Sequence, residues 1–273
     1  MYVAIDIGGT KTYAASLNNE GVIHEKIRFA TPTNYTDFKK ELAINVANLS
    51  TNDFVACGVG VPGLLDRMQG IGLAMGNLPW KNIPVKTDVM QLVHCPVVIE
   101  NDANLAGLSE AMLLKHRYQR VLYITISTGI GTGFIVNQHI DPGLADSEGG
   151  QVRIEYQGRL TPWEEVASGE AIARRYGKQA RNITDATTWR HIAHDIAIGL
   201  IDLITVAQPE VIVLGGSIGL HYERYKTPLL EILQTYELPI TPIPPIICAA
   251  RPDDAVLYGC YDLAKETYGK ASQ

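Results

Sequence analysis

The four cysteines of this 273-residue chain, Cys57, Cys95, Cys248 and Cys260, stand far apart, and no CxC or CxxC spacing occurs. That argues against a zinc knuckle or a disulfide framework and leaves buried free thiols in a reducing compartment as the expectation. No apolar run approaches the length of a membrane-spanning helix. Met1 leads straight into a strand-like run, so neither a secretory signal nor a transit peptide is expected, and the expected location is cytoplasmic. There is no low-complexity linker, and no helix–turn–helix unit precedes residue 3. A net charge of −6 gives no sign of a nucleic-acid or membrane partner, although a small anionic substrate can still meet local positive charge. What remains, 46% hydrophobic and 19% charged, suffices for a substantial core in one large domain or two of ordinary size.

The organising stretch is Val3-Ala4-Ile5-Asp6-Ile7-Gly8-Gly9-Thr10-Lys11-Thr12. A buried-strand pattern ends in a carboxylate, two glycines and two hydroxyls. Gly8 and Gly9 let the backbone turn or approach a ligand closely, and successive N–H groups there, with Thr10, Lys11 and Thr12, can cradle an anion. Asp6 is placed to hold Mg²⁺, directly or through water. The same letters would also make a plain hairpin with a solvated Asp6. A second element of the same kind favours the ligand: strand Val121–Thr128 runs into Gly129-Ile130-Gly131-Thr132-Gly133 and then strand Phe134–Val136. Two similar halves, each offering a Gly/Thr hairpin, are implied.

Between and beyond these elements, strands are expected at Thr12–Leu17 and Val22–Phe29. Thr36 is expected to cap a helix whose apolar face is Phe38, Leu42, Val46 and Leu49. Phe54–Val61 reads as a buried strand. Its Gly58-Val-Gly60-Val-Pro-Gly63 has the letters of a dinucleotide fingerprint without the helix that motif needs. Residues 66–84, including Gly76-Asn77-Leu78-Pro79-Trp80, read as a long functional loop. A short helix Thr87–Val93 and a strand Val97–Ile99 lead to Glu100-Asn101-Asp102-Ala103-Asn104 and a helix through Leu114. A helix cap needs one such polar residue, and here are four in five positions, at the strand end where α/β folds place chemistry. Residues 141–162 read as loop, with Asp146, Glu148, Gly149, Gly150 and Gln151 clustered. Helix follows from Trp163 to Ala180, interrupted at Ser168-Gly169. A further helix, with Ile192, Ile196, Leu200, Leu203 and Ile204 on one face, ends near Pro209. Strand Val211–Leu214 runs into a third glycine turn, Gly215-Gly216-Ser217. A helix within 221–235, strand Ile246–Ala249 and a last helix from Asp254 to Tyr268 complete the chain.

An Asp-bearing first strand, three glycine turns and an internal duplication resemble the actin-like (ribonuclease H-like) sugar-kinase fold, an α/β architecture of two similar lobes around a central cleft. More narrowly, the chain resembles the ROK family (repressors, open reading frames and kinases). The matching stretches are Asp6–Thr12, Gly58–Gly63, Glu100–Asn104, Ser127–Gly133, Ala167–Gly169 and Gly215–Ser217, in the family's order and spread over nearly the whole chain. The lobes are expected at residues 1–116, with helix 255–268 packing back on them, and at 117–254. The resemblance implies that Gly8–Thr12 and Thr128, Gly129, Gly131, Thr132 and Gly133 hold ATP phosphates with Mg²⁺. It places Gly215, Gly216 and Ser217 against the adenosine. Asp102 is the implied base for a sugar hydroxyl, with Gly63, Asn77, Asn101, Glu148, Gln151 and Glu164 around the sugar.

Two departures matter. The family's Glu-x-Gly-His appears as Glu148-Gly149-Gly150-Gln151, and residues 152–164 lack the cysteines that bind structural zinc, so no zinc is expected. Gln151 can hydrogen-bond a hydroxyl but cannot titrate as imidazole does. The family's repressors carry an N-terminal DNA-binding domain, and this chain starts at the phosphate loop. The resemblance therefore implies an ATP- and Mg²⁺-dependent hexose kinase acting at the 6-hydroxyl, glucokinase-like and homodimeric. N-acylmannosamine kinase (Gly215–Leu220 looks like that branch), a polyphosphate-using glucokinase, and a non-catalytic sugar sensor are the alternatives.

Overall fold

The structure is a computed structural model that describes residues 1–51 and 53–269. It divides into two compact units, Met1–Ser109 with the residues from Asp254 on, and Glu110–Asp253.

In the first unit β1 (Tyr2–Ile7), β2 (Lys11–Leu17) and β3 (Ile23–Ala30) form an antiparallel meander. Helix α1 (Tyr35–Ala47) buries Phe38, Leu42 and Val46. Its cap is Asn34 rather than Thr36: the Asn34 carboxamide accepts the Thr36 and Asp37 N–H groups at 2.9 and 3.2 Å. Thr36 thus already lies inside the first turn. β4 (Ala56–Val61) starts two residues later than expected and is buried along its whole length. Residues 66–84 are not one irregular loop. β5 (Leu64–Asp66), β6 (Ile71–Ala74) and β7 (Lys81–Ile83) form a small antiparallel sheet, whose strands of three or four residues are too short to show alternation in sequence. Helix α2 (Val85–Val93), β8 (Val97–Asn101) and α3 (Asp102–Leu114) follow. The main sheet has the order β3-β2-β1-β4-β8, with β4 and β8 parallel to β1.

One face of that sheet packs on α1 and α2 through Val3, Ile5, Phe38, Leu42 and Val89. The other face takes the C-terminal helix (Ala255–Tyr268) through Ala4, Ala56, Leu257 and Cys260. Gly58 and Gly60 lie inside β4 because that helix comes so close. A Cβ on Gly58 would stand 2.1 Å from the Cys260 carbonyl oxygen, and one on Gly60 2.5 Å from a Val256 methyl. The dinucleotide letters are therefore packing glycines. Gly58→Ala is expected to lower stability by about 2–3 kcal/mol or more, since backbone rather than a flexible side chain must give way. An unchanged thermal midpoint by circular dichroism would contradict this packing.

The second unit repeats the plan. β9 (Arg120–Ile126), β10 (Ile130–Val136) and β11 (His139–Ile140) form a meander, the last two joined by Asn137 and Gln138, both left-handed. Gly131 and Gly133 are thus inside a strand, not in the turn. Residues 141–162 read as loop in sequence, but β12 (Arg153–Tyr156) and β13 (Arg159–Pro162) form a hairpin closed by left-handed Gln157 and Gly158. Helices α4 (Trp163–Ala167), α5 (Gly169–Tyr176) and α6 (Ala186–Ala207) precede β14 (Val211–Gly215). Then come the short turn α7 (Gly216–Gly219), α8 (Tyr222–Gln234) and β15 (Ile246–Cys248). The sheet order, β11-β10-β9-β14-β15, matches that of the first unit strand for strand, with the same two antiparallel and two parallel pairings. Its core is built from α6 and α8, with Trp189, Ile196 and Leu200 beside Tyr225 and Leu229. Cys57, Cys95 and Cys260 are buried free thiols, but Cys248 is exposed because β15 is an edge strand. Among the described residues no helix is long and apolar enough to cross a membrane.

Candidate active site

In the first unit the β1–β2 turn is closed by the Gly8 N–H donating to the Lys11 carbonyl at 3.1 Å. Gly9, Thr10 and Lys11 are exposed at its tip, whereas Thr12 is fully buried. The Thr12 hydroxyl shares a 2.9 Å hydrogen bond with Thr31, whose hydroxyl donates to the Gly8 carbonyl at 2.8 Å. Thr12 therefore braces the turn from beneath. Thr31, the other half of that brace, carries no signal in the sequence.

Asp6, one residue from the end of β1, is held among groups that disfavour its charge. Burial first, then the neighbouring Asp102 and Asp254 carboxylates, push its carboxyl up to about 7, against the pull of Lys11. Asp102 opens α3 and accepts the Ala103 N–H at 2.8 Å. Its neighbour Asn101 is the helix cap, accepting the N–H groups of Ala103 and Asn104 at 2.9 and 3.3 Å while its amide donates to the Gly63 carbonyl at 3.2 Å. Gly63 turns from β4 to β5 with φ +88°. Glu100 is buried and works as a brace. It accepts from Asn101 N–H, from the Asn104 amide and from both arms of Arg67. The four polar residues thus divide into one cap, two braces and Asp102. Asn77 is exposed on a turn anchored by buried Met75, Leu78 and Trp80, the Trp80 indole donating to the Thr33 carbonyl at 2.7 Å. It lies against the β1–β2 turn, since a Cβ on Gly9 would stand 3.5 Å from Asn77 Cβ.

In the second unit three glycine-bearing segments converge. The Gly169 N–H donates to the Ser127 carbonyl at 2.6 Å, and a Cβ there would stand 3.5 Å from the Ser217 hydroxyl. Gly216 has φ +75°, and a Cβ on it would meet the Ile126 carbonyl oxygen at 2.5 Å. Gly215 is buried over the Tyr123 hydroxyl. Thr128 is exposed at the β9–β10 turn and Gly129 is half-buried. Thr132 is buried, its hydroxyl donating to the Ser147 carbonyl and accepting the Gly149 N–H, both at 3.2 Å. It ties β10 to the segment carrying Glu148.

Glu164, on α4, accepts the Ile130 N–H at 3.3 Å and the Gln151 amide. Glu148 lies close by. Desolvation, then the Glu164 and Asp146 charges, raise its carboxyl above the ordinary range even though the residue reaches solvent. The structure thus brings Glu148, Gln151, Glu164 and the Thr128–Gly129 turn together.

The ROK family pattern matches residues 2–267. The chain belongs to the ROK family. Its duplicated α/β architecture is the actin-like one expected, and it superposes on a ROK family glucokinase from Streptomyces griseus, solved with glucose and AMPPNP. The TM-score is 0.81 at 26% identity, covering 97% of this chain and 99% of the other. Among curated relatives, the glucokinase of Streptomyces coelicolor is 28% identical over 309 aligned positions, 97% of each chain. A putative fructokinase of Bacillus subtilis is 32% identical over 235, covering 80% of this chain and 77% of its own.

In this ROK protein Gln151 stands where the family resemblance puts a histidine, and residues 152–164 contain no cysteine. The Gln151 side-chain amide donates to Glu164. Purified protein is expected to carry no stoichiometric zinc, because a structural site needs four Cys or His ligands. Elemental analysis finding one zinc per chain after dialysis would overturn this.

Proposed function

We propose that this chain is a sugar kinase that transfers the γ-phosphoryl group of ATP to the 6-hydroxyl of a hexose, with Asp102 as general base. The observation that carries the reading is the pairing of Asp102 with Asp6. The Asp102 carboxylate lies near enough to Asp6, the last residue but one of β1, for its charge to raise the Asp6 carboxyl. A base placed beside the phosphoryl donor is what this reaction asks of a protein, whose other contributions are alignment and charge neutralisation. Membership of the ROK family and the likeness to glucokinases support it.

Asp102 accepts the proton of the attacking hydroxyl, while Asn101, fixed by its bond to Gly63, orients the sugar. Asn77, Glu148, Gln151 and Glu164 hold the remaining hydroxyls. The Gly8–Lys11 turn and the Thr128–Gly129 turn take the phosphates, and Gly215–Ser217 lies against the adenosine. Asp6 fits a divalent cation: it is a hard oxygen donor whose neighbours are mostly negative. Mg²⁺ bound there with the ATP phosphates would neutralise their charge. Lys11 supplies further positive charge at the same turn.

A coupled ADP-release assay over glucose, mannose, fructose, N-acetylglucosamine and N-acetylmannosamine tests the reading and selects the sugar. Running it with polyphosphate in place of ATP tests the donor. Sugar binding without turnover on any member would leave a sensor rather than a kinase.

A further inference from the structure

Arg67 stands in the turn between β5 and β6, thirty-three positions from Glu100 in sequence, and grips it with a fork. Its Nε donates to Glu100 Oε2 at 2.7 Å and its Nη2 to Oε1 at 2.6 Å. The Glu100 side chain is only 7% exposed. Oε1 also accepts the Asn101 N–H at 2.7 Å and the Asn104 amide at 3.0 Å, so one carboxylate binds the strand end, the first turn of α3 and the small β5–β6–β7 sheet. The residue immediately after that junction is Asp102.

We infer that Arg67 is a positioning residue for Asp102, acting through Glu100. The inference rests on the reading of Asp102 as the base. A planar guanidinium can satisfy both carboxylate oxygens at once and fix the plane of the group, which a lysine ammonium cannot. The carboxylate plane sets where the Asn101 N–H and the Asn104 amide sit, and with them the start of α3. A shift of about 1 Å at a reacting group can cost about 10²-fold in rate. Removing the arginine alone would leave a buried carboxylate without its partner, which is destabilising in its own right. The role therefore has to be separated from simple charge compensation.

Four variants separate them: Arg67→Lys, Arg67→Met, Glu100→Gln and the double variant Arg67→Met/Glu100→Gln. Each is compared with wild type for kcat with saturating Mg-ATP and glucose, or whichever hexose turns over fastest. Calorimetric sugar Kd and thermal midpoint are measured alongside. Arg67→Lys keeps the charge but loses the fork. It is expected to stay within a few degrees of the wild-type midpoint, with sugar Kd changed less than about 5-fold and kcat reduced about 10-fold or more. The double variant has no buried lone carboxylate. It is expected to recover the stability that Arg67→Met loses while kcat stays down about 30–100-fold. Wild-type kcat in both Arg67→Lys and the double variant would overturn the positioning role and leave Arg67 as a structural counter-ion. No turnover in the wild type itself, on any sugar, would overturn the kinase reading and this inference with it.

Discussion

Asp102→Asn is expected to fold as wild type does, to bind the sugar, and to turn over at least about 10²–10⁴-fold more slowly. The fold should survive because an asparagine oxygen can still accept the Ala103 N–H and because the α3 cap is Asn101, one residue earlier. The loss in rate is that of the proposed general base, with any misalignment of the hydroxyl adding to it. Circular dichroism, sugar calorimetry and kcat on the same preparation check all three parts. Near wild-type turnover would remove Asp102 from the chemistry.

Asp6→Asn should have opposite effects on stability and activity. In the folded chain without Mg²⁺ the Asp6 carboxyl is raised to about 7, from an ordinary value near 3.8. Between those two pH values the folded chain keeps a proton that the unfolded chain has released. The Asp6 contribution to stability is therefore greatest at low pH, falls as pH rises from about 4 to about 7, and is level above that. Asn carries no such penalty. At pH 7.5 without divalent cations the variant is expected to be about 2–4 kcal/mol more stable than wild type, the two converging near pH 4. Mg-ATP turnover should fall by about 10² or more, since the variant loses the oxygen donor proposed for the cation. Thermal melts of both proteins across pH 4–8 decide it, and parallel curves would contradict the burial of Asp6. The Asp102 charge is the second cause of the raised value, so Asp102→Asn should show a smaller rise in stability over the same pH window.

The duplicated plan was legible because its elements are local. β1 and β9 are mostly apolar runs, broken by Asp6 in the one and Thr125 in the other, each followed within a few residues by glycine and threonine. Long helices such as α6 announce themselves by period. The C-terminal helix was placed to within a residue by its apolar face and the aspartate before it. What escaped is short or non-local. The β5–β6–β7 sheet and the β12–β13 hairpin are made of strands of three or four residues, in which two-residue alternation cannot be told from chance. Cys248 reads like the other cysteines until its strand proves to be an edge.

The candidate site divides in the same way. Gly8 to Lys11 and Asn101-Asp102 were visible as residue types in a pattern, but the roles of their neighbours were not. Thr12 and Thr132 look like phosphate ligands in sequence, yet each is buried with its hydroxyl tied to protein, one to Thr31 and the other to the Ser147–Gly149 backbone. Arg67 and Thr31 carry no local signal, because what defines each is a partner about twenty to thirty residues away. Gly58 and Gly60 gave a misleading one: glycine admits a helix backbone as readily as a pyrophosphate, and only the packing of Cys260 and Val256 tells the two apart.

Phosphorus NMR of the wild-type protein with Mg-ATP and its fastest aldohexose follows where the γ-phosphoryl group goes. The proposed chemistry predicts that ADP appears together with an equal amount of a phosphate monoester whose resonance is split by the protons of a CH₂ group, which in an aldohexose is the signature of phosphorylation at the 6-position. The γ-phosphate appearing only as inorganic phosphate, or on a ring carbon bearing a single proton, would contradict it.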